Sequence, residues 1–156
     1  MSRLPASLAV ALLAAAVSLP LLAADAKQEA IDRDHALTQG TWRIASLVIN
    51  GNTVGDDDAR KITVVNGPQG EWEILVDGNR VMRGTSTIDP TTTPKEIDAT
   101  VTDGDGAGRK ILGIYEAGEK TRRVCYAAAD RSRPGEFTSD PGSEHTLVAF
   151  ERVPAE

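Results

Sequence analysis

The chain has 156 residues with 17 basic and 23 acidic side chains, a formal charge of −6. That balance argues against a nucleic-acid partner, which calls for a basic face, and against an anionic membrane surface; spread-out acidic groups serve solubility. The single cysteine, Cys125, leaves no internal disulfide, so stability has to come from core packing.

The first element is a leader. Arg3 supplies a positive charge, and residues 8–22 are nearly all Ala, Leu and Val, broken by Ser18 and Pro20. A short basic start, an apolar run and small residues after it are the parts of a secretory signal. The run of roughly 15 residues falls short of the ~20 that a bilayer span needs. Ala24-Asp25-Ala26 reads A-x-A, so cleavage is expected after Ala24 or Ala26. Residues 1–24 are therefore assigned to a signal peptide, with no membrane span once it is removed and with export to the periplasm or the extracellular space. Residues 25–39 form a polar lead-in. Ala30, Ile31, Ala36 and Leu37 space loosely into one or two helical turns, and Gly40 stops them.

From Gly40 the texture changes to short β-branched and aromatic runs separated by turn signals about every 10 residues, the mark of an antiparallel sandwich or barrel. Strands are expected over 41–49, 60–66, 71–77, 80–88, 95–102, 109–116, 121–127 and 145–153. In the third, Trp72, Ile74 and Val76 share one face and Glu71 and Glu73 the other; in the fifth, Ile97, Ala99 and Val101 oppose Glu96, Asp98 and Thr100. The first strand stutters: Trp42 and Ile44 face one way, Leu47 and Ile49 the other, as a bulge would produce. Asn50-Gly51, Asp77-Gly78 and the glycine-rich stretch 103–108 are tight turns. No segment reads as a crossover helix. Residues 40–153 thus form an all-β domain, an eight-stranded antiparallel up-and-down barrel after a short N-terminal helix.

Gly40-Thr41-Trp42 at the first strand and Arg152 in the last resemble the lipocalin arrangement, in which a G-x-W tryptophan packs under an arginine at the closed end of the barrel. Gly40, Trp42 and Arg152 take structural roles by this resemblance. The chain also resembles a small, uncharacterised lipocalin-like family first noted in planctomycete bacteria. The matching segments are 37–42, Asp89-Pro90, 93–98, 113–116, 124–126, 133–137, 141–143 and 147–152. The resemblance implies a lipocalin-like barrel and carries no activity with it.

No residue set calls for catalysis, a metal or a cofactor. His35 and His145 lie far apart in the chain. The run 56–58 of three aspartates is a solvated turn, since calcium needs six or more converging oxygens. Asp103-Gly104-Asp105 starts like an EF-hand, but Ala107 and Ile114 stand where ligands belong. Ser132, Ser139 and Ser143 lack a nucleophile elbow, and a hydrolase would depend on His145 as base. Cys125 reads as a buried, inert thiol; Arg122 and Arg123 are the nearby cations that a reactive one would want.

The leading expectation is a non-catalytic binding protein with a small apolar or amphipathic ligand in the barrel mouth. Trp72, Tyr115 and Tyr126 would line the site, and Arg83 and Arg122 would meet an acidic head group. The alternative is a module that binds an envelope protein through the long loop 130–143. There Arg131 and Arg133 flank Pro134 and Phe137, and the loop is expected to fold back over an end of the barrel.

Overall fold

The computed structural model describes residues 18–156. Helix α1 (Ser18–Thr38) leads into strands β1 (Gly40–Ile49) and β2 (Asn52–Thr53), the short helix α2 (Asp56–Ala59), and strands β3 (Ile62–Asn66), β4 (Glu71–Val76), β5 (Asn79–Asp89), β6 (Lys95–Gly104), β7 (Lys110–Ala117), β8 (Thr121–Ala127) and β9 (His145–Arg152). β1 and β3 to β9 each pair antiparallel with the next, and β9 returns to β1. The result is a closed, eight-stranded, up-and-down barrel of lipocalin-like architecture. Closure leaves no free sheet edge in the barrel itself; β2 is a two-residue spur paired to the end of β1.

The bulge in β1 is present. Its register with β9 passes from Ile44–Phe150 to Ser46–Ala149, skipping Ala45. The skipped residue turns Leu47 back to the interior beside Trp42 and Ile44, so all three are buried in one core. A second irregularity sits where β5 meets β6 at Gly84. A Cβ there would lie 2.1 Å from the Thr100 carbonyl oxygen and 2.3 Å from the Trp72 ring. Glycine lets the indole of Trp72 lie flat on the strand.

The interior is filled by Trp42, Ile44, Leu47, Val64, Trp72, Val101, Tyr115, Val124, Val148 and Phe150. Both ends are covered. At the end where β1 finishes, Ala59 of α2 is buried in the core and Val54 packs against it. The three aspartates 56–58 are thus the exposed face of a one-turn helix, with Lys61 2.8 Å from Asp58. The other end lies under α1.

α1 is much longer than the expected one or two turns. Alanine and leucine are strong helix formers, and the stretch Leu21-Leu22-Ala23-Ala24 continues the helix of the lead-in without a break. Residues 1–17 of the expected signal lie outside the described residues. Among the described residues, no helix is long and apolar enough to cross a membrane. The helix ends at Thr38, and two residues on stands Gly40, whose φ of +109° disfavours any side chain and whose missing Cβ leaves room for Arg152 Nη1.

The loop 128–144 covers the outer wall of the barrel instead of an end. The Arg133 guanidinium donates to the carbonyls of Gly113 (2.7 Å) and Ile97 (3.1 Å) and to Asp98 (2.7 Å). Phe137 stacks under Arg123 at 4.1 Å. This cladding buries the outward-facing Ile114 and Cys125; the Cys125 thiol donates to the Thr138 carbonyl, and burial pushes its pKa up. A thiol held neutral in this way is inert. The loop's last residues reach the rim, where the Asn50 side chain accepts from the amides of Gly142 and Glu144.

Candidate functional site at the floor of the barrel

Strand register decides which side chains meet beneath α1. Trp42 opposes Val64 and Arg152, and Arg122 opposes Phe150, so β1, β8 and β9 bring these groups to one end. Trp42 is fully buried, and its indole N–H donates to the Thr38 carbonyl at 2.8 Å. The Arg152 guanidinium lies 4.2 Å over the Trp42 ring. It donates to the carbonyls of Glu119 (2.6 Å), Gln39 (2.7 Å) and Leu37. Arg152 therefore satisfies the open carbonyls at the end of α1 while it stacks on Trp42. Gly40, Trp42 and Arg152 sit together at this end of the barrel.

A second anchor ties α1 to the barrel. Asp34 is 1% exposed. Its carboxylate accepts from Lys95 Nζ at 2.6 Å and from the Tyr115 hydroxyl at 2.8 Å. Burial, the bond to Asp34 and its charge all push the Tyr115 phenol upward, so it stays a donor. A third contact, Lys27 to Asp89 at 2.6 Å, lies near the surface.

That outer contact responds to acid. The hydrogen bond from Lys27, then those from the Thr91 hydroxyl and amide, hold the Asp89 pKa down at about 2, against an ordinary 3.8. A depressed carboxylate pKa stabilises the fold above the ordinary value, and that support disappears as pH falls through the folded one. The Lys27 end of α1 should therefore loosen between pH 3.8 and about 2. The effect is modest because the pair is part-exposed. The Lys27 amide chemical shift, followed through an acid titration, checks this; Asp89→Asn should remove its transition near pH 2.

Between these anchors, Arg122 enters the barrel. Its guanidinium lies 4.4 Å from the Phe150 ring and 5.0 Å from the Trp42 ring. The Asn66 amide, assigned with its oxygen toward Arg122, accepts from both Nη atoms at 3.1 Å. Nε has no acceptor and is buried. No carboxylate lies within ion-pair distance among the described residues. Desolvation pulls the guanidinium pKa down to about 10, and the neighbouring Arg152 charge acts in the same direction. Trp72 Nε1 is also buried without an acceptor. Burial raises the Tyr126 phenol to about 12, against the opposing pull of Arg122.

Arg122, Asn66 and Ser86 of the barrel and His35 and Thr38 of α1 line a cavity of about 30 Å³. By the same measure one water needs at least ~10–15 Å³, so this space holds about two waters. It is the wrong size for an apolar ligand.

Of the residues expected to line a ligand site, Trp72, Tyr115, Arg122 and Tyr126 share the barrel interior. Tyr115 is committed to Asp34. Arg83 is a correction: it stands on the outer wall, 3.6 Å from Asp103, because alternation from the inward Gly84 turns it outward. In the late loop, Pro134 is buried and Arg133 pinned, while Arg131 pairs with Glu144 at 2.6 Å. The Ser139 and Ser143 hydroxyls bond only backbone at His145, not its imidazole. Sequence reasoning missed Asp34, Asn66 and Lys95 as site members. Asp34 is one of three aspartates in a polar lead-in, and only the docking of α1 distinguishes it.

The fold and this floor define a closed, lipocalin-like barrel with a packed interior and a small polar cavity at its helix-covered end. Comparison with protein-family models, curated proteins and solved structures finds no match for this chain.

Proposed function

We propose that the chain is an exported, non-catalytic binding protein whose ligand site is the polar cavity under α1 instead of the barrel mouth. The observation that carries this reading is Arg122, a desolvated cation with a free donor and no carboxylate partner, facing the cavity. A buried charge in that position calls for a partner. The mouth is covered by α2, with Ala59 buried in the core and Val54 packed against it, which disfavours an apolar ligand there. Export rests on the leader composition.

Native mass spectrometry of protein purified gently from an exported fraction tests the reading. The expected result is a small, polar adduct that is lost on denaturation and absent from Arg122→Met, together with no uptake of fluorescent apolar probes. An adduct retained by Arg122→Met, or saturable binding of an apolar probe, would overturn it.

A second reading, recognition of an envelope protein through the late loop, is favoured by the order of that loop. Arg133 fixes it to two backbone carbonyls and Asp98, which presents Arg131, Ser132 and Glu136 on a rigid outer surface. Arg131→Glu should abolish capture of such a partner without altering the fold.

A further inference from the structure

Charge at the barrel floor runs against the rest of the chain. The chain carries −6 overall. At the floor, however, the partly buried cations Lys95, Arg122 and Arg152 face one buried carboxylate, Asp34, which is already paired to Lys95. Arg152 spends its donors on three backbone carbonyls. Arg122 has a neutral amide and two aromatic faces, and keeps Nε free. Glu116 borders the cavity, but its carboxylate is turned outward into a two-pronged pair with Arg123 at 2.7 and 2.9 Å. Nothing acidic therefore competes for Arg122.

The second orphan donor, Trp72 Nε1, is a neighbour. Asn66 stands opposite Trp72 in the pairing of β3 with β4, and Asn66 is the residue that accepts from Arg122. The buried, unsatisfied Nε of Arg122 and its uncompensated charge favour an acceptor that carries charge, while Trp72 Nε1 lies in the neighbouring layer and does not line the cavity. The size of the cavity, about 30 Å³, admits two or three heavy atoms. One guanidinium balances one negative charge. Sulfate and phosphate are too large and too highly charged for this space.

We infer that the cavity beneath α1 binds a carboxylate of formate size, either as a free small anion or as the terminal group of a longer molecule, with Arg122 as its principal partner. This deepens the reading given above and rests on it.

The test is a titration of the full, folded chain with sodium formate, acetate, butyrate and benzoate at constant ionic strength, with sodium sulfate as the reference. Two readouts are followed: the melting temperature, and the ¹⁵N–¹H signals of the two indoles and of Arg122 Nε. Formate should raise Tm by roughly 5 °C at about ten times its Kd. It should also move the Arg122 Nε and Trp72 indole signals. Arg122→Met should lose both responses, and the outer-wall Arg83→Met should keep them. Binding of formate alone identifies a free small anion as the ligand, and equal or tighter binding of butyrate or benzoate identifies a carboxylate head group. If the cavity holds only water, no carboxylate will move Tm or either signal, and the inference is overturned along with the reading beneath it. If a neutral polar compound moves the Trp72 signal while no carboxylate does, the inference fails and the binding reading stands. The titration of the unaltered chain decides between these outcomes even where Arg122→Met does not fold.

Discussion

Trp42→Ala should cost about 3–5 kcal/mol of stability, the range for removing a large aromatic from a packed core. Trp42 is fully enclosed, carries Arg152 on one face and donates to the last turn of α1. Its loss opens a cavity, strands the Thr38 carbonyl and leaves the Arg152 guanidinium without its platform. A domain of this size has only about 5–15 kcal/mol in all, so the variant should be marginally stable. Urea unfolding followed by far-ultraviolet circular dichroism measures the change. Pairing Trp42→Ala with Arg152→Ala in a double-mutant cycle should show coupling of roughly 0.5–3 kcal/mol, because each residue positions the other. Additive losses would show that the stack contributes nothing of its own.

The second large effect is expected at the Asp34 anchor. Lys95→Met leaves a carboxylate that is 1% exposed with only the Tyr115 hydroxyl as donor. Stranding a buried charge costs about 3 kcal/mol, at the low end of the range because Lys95 is itself part-exposed. The double variant Asp34→Leu with Lys95→Met removes both charges and should recover most of that loss. Denaturant midpoints of the single and double variants give the comparison. A double variant as unstable as the single one would mean that the contact acts through packing rather than charge. In Lys95→Met, hydrogen exchange of the α1 amides should rise before that of the barrel strands, since the anchor ties helix to barrel.

Much of this architecture is legible from the chain. The alternation Trp72-x-Ile74 and Ile97-x-Ala99-x-Val101 marks faces that the structure turns inward, because a strand has a side-chain period of two. The stutter between Ile44 and Leu47 brackets the β1 bulge, which the structure places at Ala45. Turns with Asn-Gly and Asp-Gly mark the hairpins, since only such residues take up positive φ at little cost. Gly40, Trp42 and Arg152 are recognisable as a set before any contact is known.

The functional floor is less legible. Arg122 and Arg123 are neighbours of one type in one strand; the first enters the barrel and the second pairs with Glu116 outside. Register with β7 and β9 decides which is which, and a shift of one residue would exchange them. Arg83 shows the same dependence, having turned outward where an inward position was expected. The late loop illustrates another limit. Its Pro134 and Phe137 announce that it packs on something, but the partners are the carbonyls of β6 and β7 on the outer wall, distant in the chain.

The sequence by itself therefore determined the eight strands, their turns, the inward faces of most of them and the closing pair of Trp42 and Arg152. These depend on local periodicity and on backbone conformations that few residues tolerate. The tertiary structure decided the length and docking of α1, the burial of Asp34, the filling of the mouth and the solitary charge of Arg122. Each of these depends on which distant groups are brought together when the barrel closes and water leaves, and desolvation has no signature in a single stretch of chain.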